Sequence, residues 1–186
     1  MGGGSCHLTK GKTTCHLWCA PLQMPRHVTM KLSEILPQEH ILLDLQSGDR
    51  WHAMEELLDH LIAAGDFPAE WREEVAQSLH QRESLVSTGV GGGVAIPHAF
   101  SESINDVVAV FGRSLPGIDF EAQDQELVHF VVLFISPRNP YQKHLHALAA
   151  IARMFTKPET RDAMMRARDA EDLFALFCNK VVVLKD

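Results

Sequence analysis

The sequence lacks the features of a membrane-spanning or secreted protein. No apolar run approaches the roughly 18 residues that a transmembrane helix needs, and the first 29 residues contain no apolar core of the kind found in a secretory signal. Only four of 186 residues are cysteine, and three of those lie before position 20. One cysteine cannot form a disulfide framework in the remaining chain, so we expect a cytoplasmic protein without direct membrane insertion.

Acidic residues are missing from one part of the chain and abundant in the other. Residues 1–29 contain three basic residues and no acid, whereas residues 30–186 contain 14 basic and 24 acidic residues, a formal charge of −10. A surface of that sign repels a phosphate backbone, which argues against nucleic acid as a partner. It favours a basic protein partner.

The N-terminal stretch "SCHLTKGKTTCHLWC" suggests two sites, and we favour neither. A phosphate-binding loop at Gly11-Lys12-Thr13 would require glycine at position 6, which is a cysteine, and no apolar strand precedes it. The cysteines and histidines at positions 6, 7, 15, 16 and 19 are zinc-ligand types, but their spacing fits no common zinc finger. We therefore expect residues 1–29 to be a disordered leader or an overextended start, and residues 30–186 to form one domain.

After Met30 the spacing of apolar residues predicts alternating helices and strands. Asp49 is a candidate N-cap for a helix that Gly65 would end. Residues 128–135 are apolar at every position except His129, so both faces of this strand are apolar, which is typical of a central strand covered on both sides. The other predicted elements are strands at 40–45, 107–113 and 181–184, and helices at 67–83, from Tyr141 to just before Pro158, at 159–167 and at 170–177. This pattern predicts a layered α/β protein.

The stretch "STGVGGGVAIPHA", from Ser87 to Ala99, combines a glycine-rich loop with one anchored histidine. Successive backbone N–H groups in such a loop can form an anion-binding concavity. His98 follows a proline and a short apolar run, and imidazole is neutral and nucleophilic near pH 7. The local sequence also fits an ordinary turn beside a polar residue at a strand end. The candidate phosphate-binding loop consists of Ser87, Thr88, Gly89, Gly91, Gly92 and Gly93.

Three further residues are candidates to support His98. His144 shares a helix face with Leu148, although a histidine there is also compatible with a hydrogen-bonded residue at the edge of the core. His146 points elsewhere by helical spacing, and an ordinary surface role is favoured for it. Arg82 lies at a predicted helix end, where arginine is usually solvated but its guanidinium can pair with phosphate oxygens.

The stretch from Ser87 to Ala99 resembles the signature of enzyme IIA domains of the bacterial phosphotransferase system, in the mannitol, fructose and nitrogen-regulatory class. "QRESLVSTG" and "KHLHALAAIARMF" extend the resemblance over about residues 31–177. Gly92 stands where the family often has asparagine, and Ala99 where it usually has glycine. The resemblance implies a three-layer α/β/α fold with a mixed five-stranded sheet.

The same resemblance implies a phosphotransferase. His98 matches the phosphorylated histidine, His144 the histidine that supports it, and Arg82 the nearby arginine that stabilises charge. A histidine-containing phosphocarrier protein would donate the phosphoryl group, and an enzyme IIB or a regulated protein would receive it or respond to it. We expect unprotonated Nε2 of His98 to be the nucleophile, with Nδ1–H held by a backbone carbonyl and with no metal or cofactor.

Three functional alternatives remain at this point. A nitrogen-regulatory protein is favoured by the opening "KLSEIL" and by the helix after "SGDR", and a sugar-uptake subunit of the fructose or mannitol type is the alternative. A non-catalytic binding module of the same fold is the third, and His98 within the full signature argues against it. Zinc held by His98, His144 and an acid is disfavoured, because only two ligands are well placed.

Overall fold

The computed structural model describes residues 28–138, 141–178 and 181–184. The interpretations that fall on positions 1–27, including the leader and the zinc and phosphate-loop readings, lie outside this part of the chain. The helices are α1 (Leu32–Ile35), α2 (Arg50–Ala64), α3 (Arg72–Leu85), α4 (Tyr141–Phe155), α5 (Pro158–Arg166) and α6 (Ala170–Cys178). The strands are β1 (Val28–Lys31), β2 (Ile41–Leu42), β3 (Gly89–Gly91), β4 (Val94–Ala95), β5 (His98–Phe100), β6 (Val108–Ile118), β7 (Val128–Ser136) and β8 (Val181–Leu184).

Helix α2 has the two ends that its sequence predicts. The Asp49 carboxylate accepts hydrogen bonds from the backbone N–H groups of Trp51 and His52, which otherwise have no partner in a first turn. Gly65 ends the helix in the left-handed conformation, at φ 87°, where a residue with a side chain would be strained. Both predicted ends of this helix are confirmed.

The central sheet is mixed, with strand order β2-β6-β7-β4-β3 and with β5 also paired to β7. Strands β4 and β5 both run parallel to β7, one beyond the other, and Pro97 lies between them. Because proline has no backbone N–H to donate, it interrupts a strand. The sheet therefore has six strands in five positions, where five strands were expected.

Helices cover both faces of the sheet, as predicted from the two apolar faces of the strand at 128–135. Phe130, Val132 and Phe134 of β7 pack in one core with helices α4 to α6, whereas Val131 and Leu133 pack in a second core with α2 and α3. Successive side chains of a strand point to opposite faces, so β7 contributes to both cores. The three-layer α/β/α arrangement is confirmed.

The strand predicted at 40–45 is shorter in the structure. It is confined to Ile41–Leu42, because Arg113 of β6 binds the next residues instead: its guanidinium donates to the Leu43 carbonyl and pairs with Asp44 at 3.0 Å. Strands β1 and β8 form a separate two-stranded antiparallel sheet in which Val28 faces Leu184. No helix in the described part of the chain is long and apolar enough to cross a membrane.

Candidate functional site

His98 opens strand β5 and is held by the centre of the sheet. It lies opposite Phe134 of β7, and the Phe134 N–H donates to the Pro97 carbonyl at 2.9 Å. The side chain is half-buried, so one edge of the ring faces an open pocket. The apolar run before His98 therefore fixes the imidazole to the most buried strand of the protein.

The hydrogen bonds of the His98 ring define its tautomer. The Arg82 Nε–H approaches Nε2 at 3.3 Å, and because a guanidinium nitrogen can only donate, Nε2 must offer its lone pair. Nδ1 lies 3.1 Å from the Ile96 carbonyl, so Nδ1 carries the proton and donates it there. Burial lowers the pKa of His98 below its ordinary value, and the charge of Arg82 acts in the same direction. The ring is thus neutral at pH 7, with Nε2 unprotonated.

His144 is buried beside His98, and their ring centroids lie 5.4 Å apart. Its Nδ1 is 2.7 Å from the hydroxyl oxygen of Ser136, the last residue of β7. Burial lowers the pKa of His144 to about 4, and repulsion between the two rings when both are protonated acts in the same direction. The second histidine is therefore neutral across the physiological range. His146 is half-buried on the same helix and does not line the pocket.

A pocket of about 400 Å³ opens over the exposed edge of His98. One wall is polar and comes from the end of α3 and the start of the signature segment, and the facing wall is an apolar stripe of α4. The pocket is lined by Arg82, Ser87, Thr88, Val90, Ile96, His98, Leu145, Leu148, Ala149 and Ala152. Arg82, Ser87, Thr88 and His98, predicted from sequence as site residues, thus meet in one place.

The predicted glycines do not line this pocket. Gly91, Gly92 and Gly93 form the turn between β3 and β4, with φ of 87°, 63° and 75°. The Gly92 N–H donates to the Asp124 carboxylate at 2.7 Å. Gly89 packs so closely that a Cβ atom there would lie 2.7 Å from that of Ala122. These glycines serve a tight turn and a close approach of two segments.

Three of the loop N–H groups that were expected to bind an anion donate to groups of the protein instead. The N–H of Thr88 donates to Glu83, that of Gly89 to the Ser87 hydroxyl, and that of Gly92 to Asp124. The Thr88 hydroxyl is buried and has no hydrogen-bond partner within the described part of the chain. A buried hydroxyl without a partner costs free energy, so it is a donor available to a ligand in the adjoining pocket.

Two residues of the site are absent from the sequence-based prediction. Glu83 is buried at the end of α3, directly after Arg82. It lies four residues after the buried Leu79, and this helical spacing could have placed it on the inner face. Ser136, which contacts His144, carries no comparable signal, because a serine that ends a strand is usually part of a turn.

Metal chemistry has no candidate ligand set in the described ranges. Nowhere in residues 28–138, 141–178 or 181–184 do three histidine, cysteine, aspartate or glutamate side chains come together as a metal ion would require. The pairing of His98 with Arg82 instead suits an anionic group, because a guanidinium binds phosphate oxygens through several N–H groups.

Residues 34–180 match the sequence pattern of a family described as the phosphoenolpyruvate-dependent sugar phosphotransferase system, EIIA 2. The chain belongs to this EIIA family. A nitrogen regulatory protein from Bradyrhizobium diazoefficiens is 31% identical over 147 residues, covering 79% of this chain and 94% of that protein. The fructose-specific EIIABC component of Bacillus subtilis is 32% identical over 143 residues, which cover 77% of this chain but only 22% of that larger protein.

Among solved structures, the nitrogen regulatory protein IIA-Ntr from Neisseria meningitidis superposes with a TM-score of 0.72 at 31% identity, covering 78% of this EIIA chain and 98% of the other. The mannitol IIA from Escherichia coli has the same fold at 18% identity, with a TM-score of 0.62. This EIIA protein therefore has a phosphoryl-transfer role in the broad sense that its family defines.

Proposed function

We propose that this EIIA protein carries a phosphoryl group on Nε2 of His98, accepts it from a histidine-containing phosphocarrier protein, and acts in nitrogen or metabolic regulation. The observation that carries the assignment is the tautomer of His98. The ring is anchored through Nδ1–H to Ile96, and the lone pair of Nε2 meets the Arg82 guanidinium at 3.3 Å. A neutral imidazole held in this way is a nucleophile beside a fixed positive charge.

The transfer step balances with no further reactant. The lone pair of Nε2 attacks the phosphorus of the carrier's phosphohistidine, the new N–P bond forms as the old one breaks, and the bonding electron pair returns to the carrier's ring nitrogen. Nδ1–H stays on His98, so the phosphorylated ring is cationic and the carrier leaves with a neutral imidazole. When His98 passes the phosphoryl group to the next acceptor, the N–P bond of His98 breaks and its electron pair returns to Nε2.

Three donors surround the position that the phosphoryl oxygens would take. The Arg82 guanidinium moves from Nε2 to the oxygens once the lone pair is used. The Thr88 hydroxyl, buried at the pocket, gains the acceptor that it lacks. His144 is the third: in the tautomer in which its Nδ1 accepts from the Ser136 hydroxyl, the proton of the neutral ring lies on Nε2.

The surface next to the pocket supports docking of a protein partner. Leu85, Val86, Val90 and Leu145 are between 46% and 79% exposed, which is high for large apolar side chains grouped near one site. The formal charge of −10 on residues 30–186 favours a basic partner, since opposite charges accelerate encounter. A phosphocarrier protein that presents its own histidine in an apolar, basic surface fits this site.

The assignment is tested by phosphorylation in vitro. Incubation with phosphoenolpyruvate and the upstream phosphotransfer proteins should label the wild-type protein with an acid-labile phosphoryl group, and His98→Ala should remove the label. His146→Ala is the matched control, because that histidine lies on α4 outside the pocket, and it should be labelled like wild type. Label that persists in His98→Ala would refute the assignment.

A sugar-uptake role is the second candidate, since fructose-specific relatives match this chain at 32% and 31% identity. The two roles differ in the fate of the phosphoryl group. A regulatory protein should keep its label when mixed with fructose-type enzyme IIB, and an uptake subunit should pass it on within seconds to minutes. Rapid transfer to such a IIB would replace the regulatory proposal by the uptake role.

A further inference from the structure

Glu83 is a buried carboxylate that the phosphoryl-transfer scheme above does not use. It lies in the last turn of α3 and is only 3% exposed. Glutamate is rarely fully buried unless it is paired, because removing a carboxylate from water costs several kcal/mol. A buried acid directly after Arg82, bonded to Thr88 of the pocket wall, calls for a physical reason.

The contacts of Glu83 lead to the reacting imidazole in three hydrogen bonds. Both carboxylate oxygens accept the N–H of Thr88, each at 3.1 Å. The Thr88 carbonyl accepts the N–H of Ile96 at 3.0 Å, and the Ile96 carbonyl accepts Nδ1–H of His98 at 3.1 Å. Each residue in this series is thus held at both its N–H and its carbonyl side. Networks of this kind fix the position of their last member.

The charge of Glu83 also reaches the His98 ring. Arg82 contacts His98 from α3, where Glu83 is the next residue, and the ring of His144 lies beside it from α4, while β7 presents the apolar Phe134 opposite it. Among these groups Glu83 is the anion, and its charge acts to raise the pKa of His98 against the larger effect of burial. A negative charge at this position favours any state in which the ring is cationic.

We propose that Glu83 is a positioning residue of the phosphoryl site, which holds the Ile96 carbonyl on Nδ1 through Thr88 and keeps the phosphorylated ring protonated and ready to transfer. This inference rests on phosphorylation of His98 as proposed above. When the N–P bond breaks, its electron pair returns to Nε2. A ring that carries the Nδ1 proton then leaves as neutral imidazole, whereas a ring without it would have to leave as an anion. Glu83 favours the first case.

The test compares wild type with Glu83→Gln, which keeps the length of the side chain and one oxygen to accept the Thr88 N–H but removes the charge. The isolated phosphoproteins are followed by ³¹P NMR as they lose the phosphoryl group to unphosphorylated phosphocarrier between pH 6 and 9. We expect the midpoint of the pH–rate profile to be lower in E83Q than in wild type, and transfer above the midpoint to be slower.

The matched control is Glu74→Gln, an exposed glutamate on the same helix, whose profile should superimpose on that of wild type. A purely structural role for Glu83 would lower the melting temperature of E83Q without moving its pH midpoint, and that result would overturn the proposal. If E83Q fails to fold, Glu83→Asp decides, because it retains the charge. Its midpoint should stay at the wild-type value, and a midpoint below that value would refute the role of charge.

The failure of this inference can be separated from the failure of the proposed function. If wild type accepts no label at His98, the function is wrong whatever Glu83 does. In that case ¹H–¹⁵N NMR of the unphosphorylated His98 ring still reads the effect of the Glu83 charge, and the pKa of His98 should be lower in E83Q than in wild type. An unchanged ring titration would exclude the inference independently of phosphoryl transfer.

Discussion

The two ends of one short sequence segment differ in role from its middle. Thr88 and His98, near the two ends, come together at a pocket with Arg82, whose Nε–H approaches Nε2 of His98 at 3.3 Å. The turn of residues 91–93, between them in sequence, is held by Asp124 and does not line that pocket. The signature therefore combines a reactive part with a part that lets the chain reverse direction and bring the reactive residues together.

This contrast gives the glycines a structural role beside the predicted one. A glycine-rich loop beside a histidine suggests an anion cradle, because bare amides bind phosphate well. In this protein the positive φ angles of Gly91, Gly92 and Gly93 are the requirement, since residues with a side chain rarely adopt them. Substitutions at the pocket end should change phosphoryl transfer, and substitutions at the turn should change stability.

The largest effect should come from Arg82, at the pocket end. Arg82→Gln removes the positive charge beside Nε2 and should slow phosphoryl transfer to His98 by about a hundredfold, which is the usual effect of losing one charge-stabilising donor. Rapid-quench measurement of label transfer from the phosphocarrier checks this. Arg153→Gln, an exposed arginine on α4, is the control. Equal transfer rates for the two variants would show that Arg82 takes no part in phosphoryl transfer.

The second effect is on the pH dependence of the protein's stability and comes from His144. The pKa of His144 is about 4 in the folded protein against 6.5 unfolded, so the unfolded chain binds more protons between these values. The free energy of unfolding should therefore fall as the pH drops from 6.5 to 4, with a total loss of about 3 kcal/mol from this residue. Urea unfolding at a series of pH values measures it.

His144→Gln should remove most of that slope, because glutamine does not titrate. His60→Gln is the matched control on α2, where the histidine ring contacts the Glu39 carbonyl at 2.9 Å, and it should leave the slope in place. An unchanged slope in His144→Gln would mean that burial of His144 does not cause the acid sensitivity.

The smallest effect should come from the turn. Gly93→Ala places a Cβ atom at φ +75° and 3.4 Å from the His129 ring and the Leu127 carbonyl oxygen, which should cost about 1–2 kcal/mol of stability. Phosphorylation of His98 should stay within about twofold of wild type. Gly48→Ala, where nothing lies within 4 Å, is the control for thermal unfolding. A transfer rate reduced tenfold in Gly93→Ala would show that the turn belongs to the reactive part.

The parts of the fold that could be predicted are those with local causes. Helix α2 was predicted with both ends, since Asp49 and Gly65 act on their own neighbours. The two apolar faces of β7 indicated helices on both sides of the sheet. The short strand β2 was predicted too long, because its end depends on Arg113, about 70 residues away in sequence. The domain boundary at Met30 stays a prediction.

The candidate site divides in the same way. His98 and Arg82 could be named from the family resemblance, and in the structure Nε of Arg82 lies 3.3 Å from Nε2 of His98. Ser136 could not, because a serine at a strand end has an ordinary surface explanation, and the spacing of Glu83 from Leu79 could have placed Glu83 on the inner face of α3 but not beside His98. Only the packing of α3 and α4 against the sheet buries these two side chains beside the histidines.

The sequence by itself determined the residue types of the candidate site, the apolar run before His98 and both ends of α2, because each depends on neighbours along the chain. Tertiary structure decided the tautomer of His98, the depressed pKa of His144 and the burial of Glu83. These properties depend on distances between elements and on the exclusion of water, and both exist only once the helices have packed on the sheet.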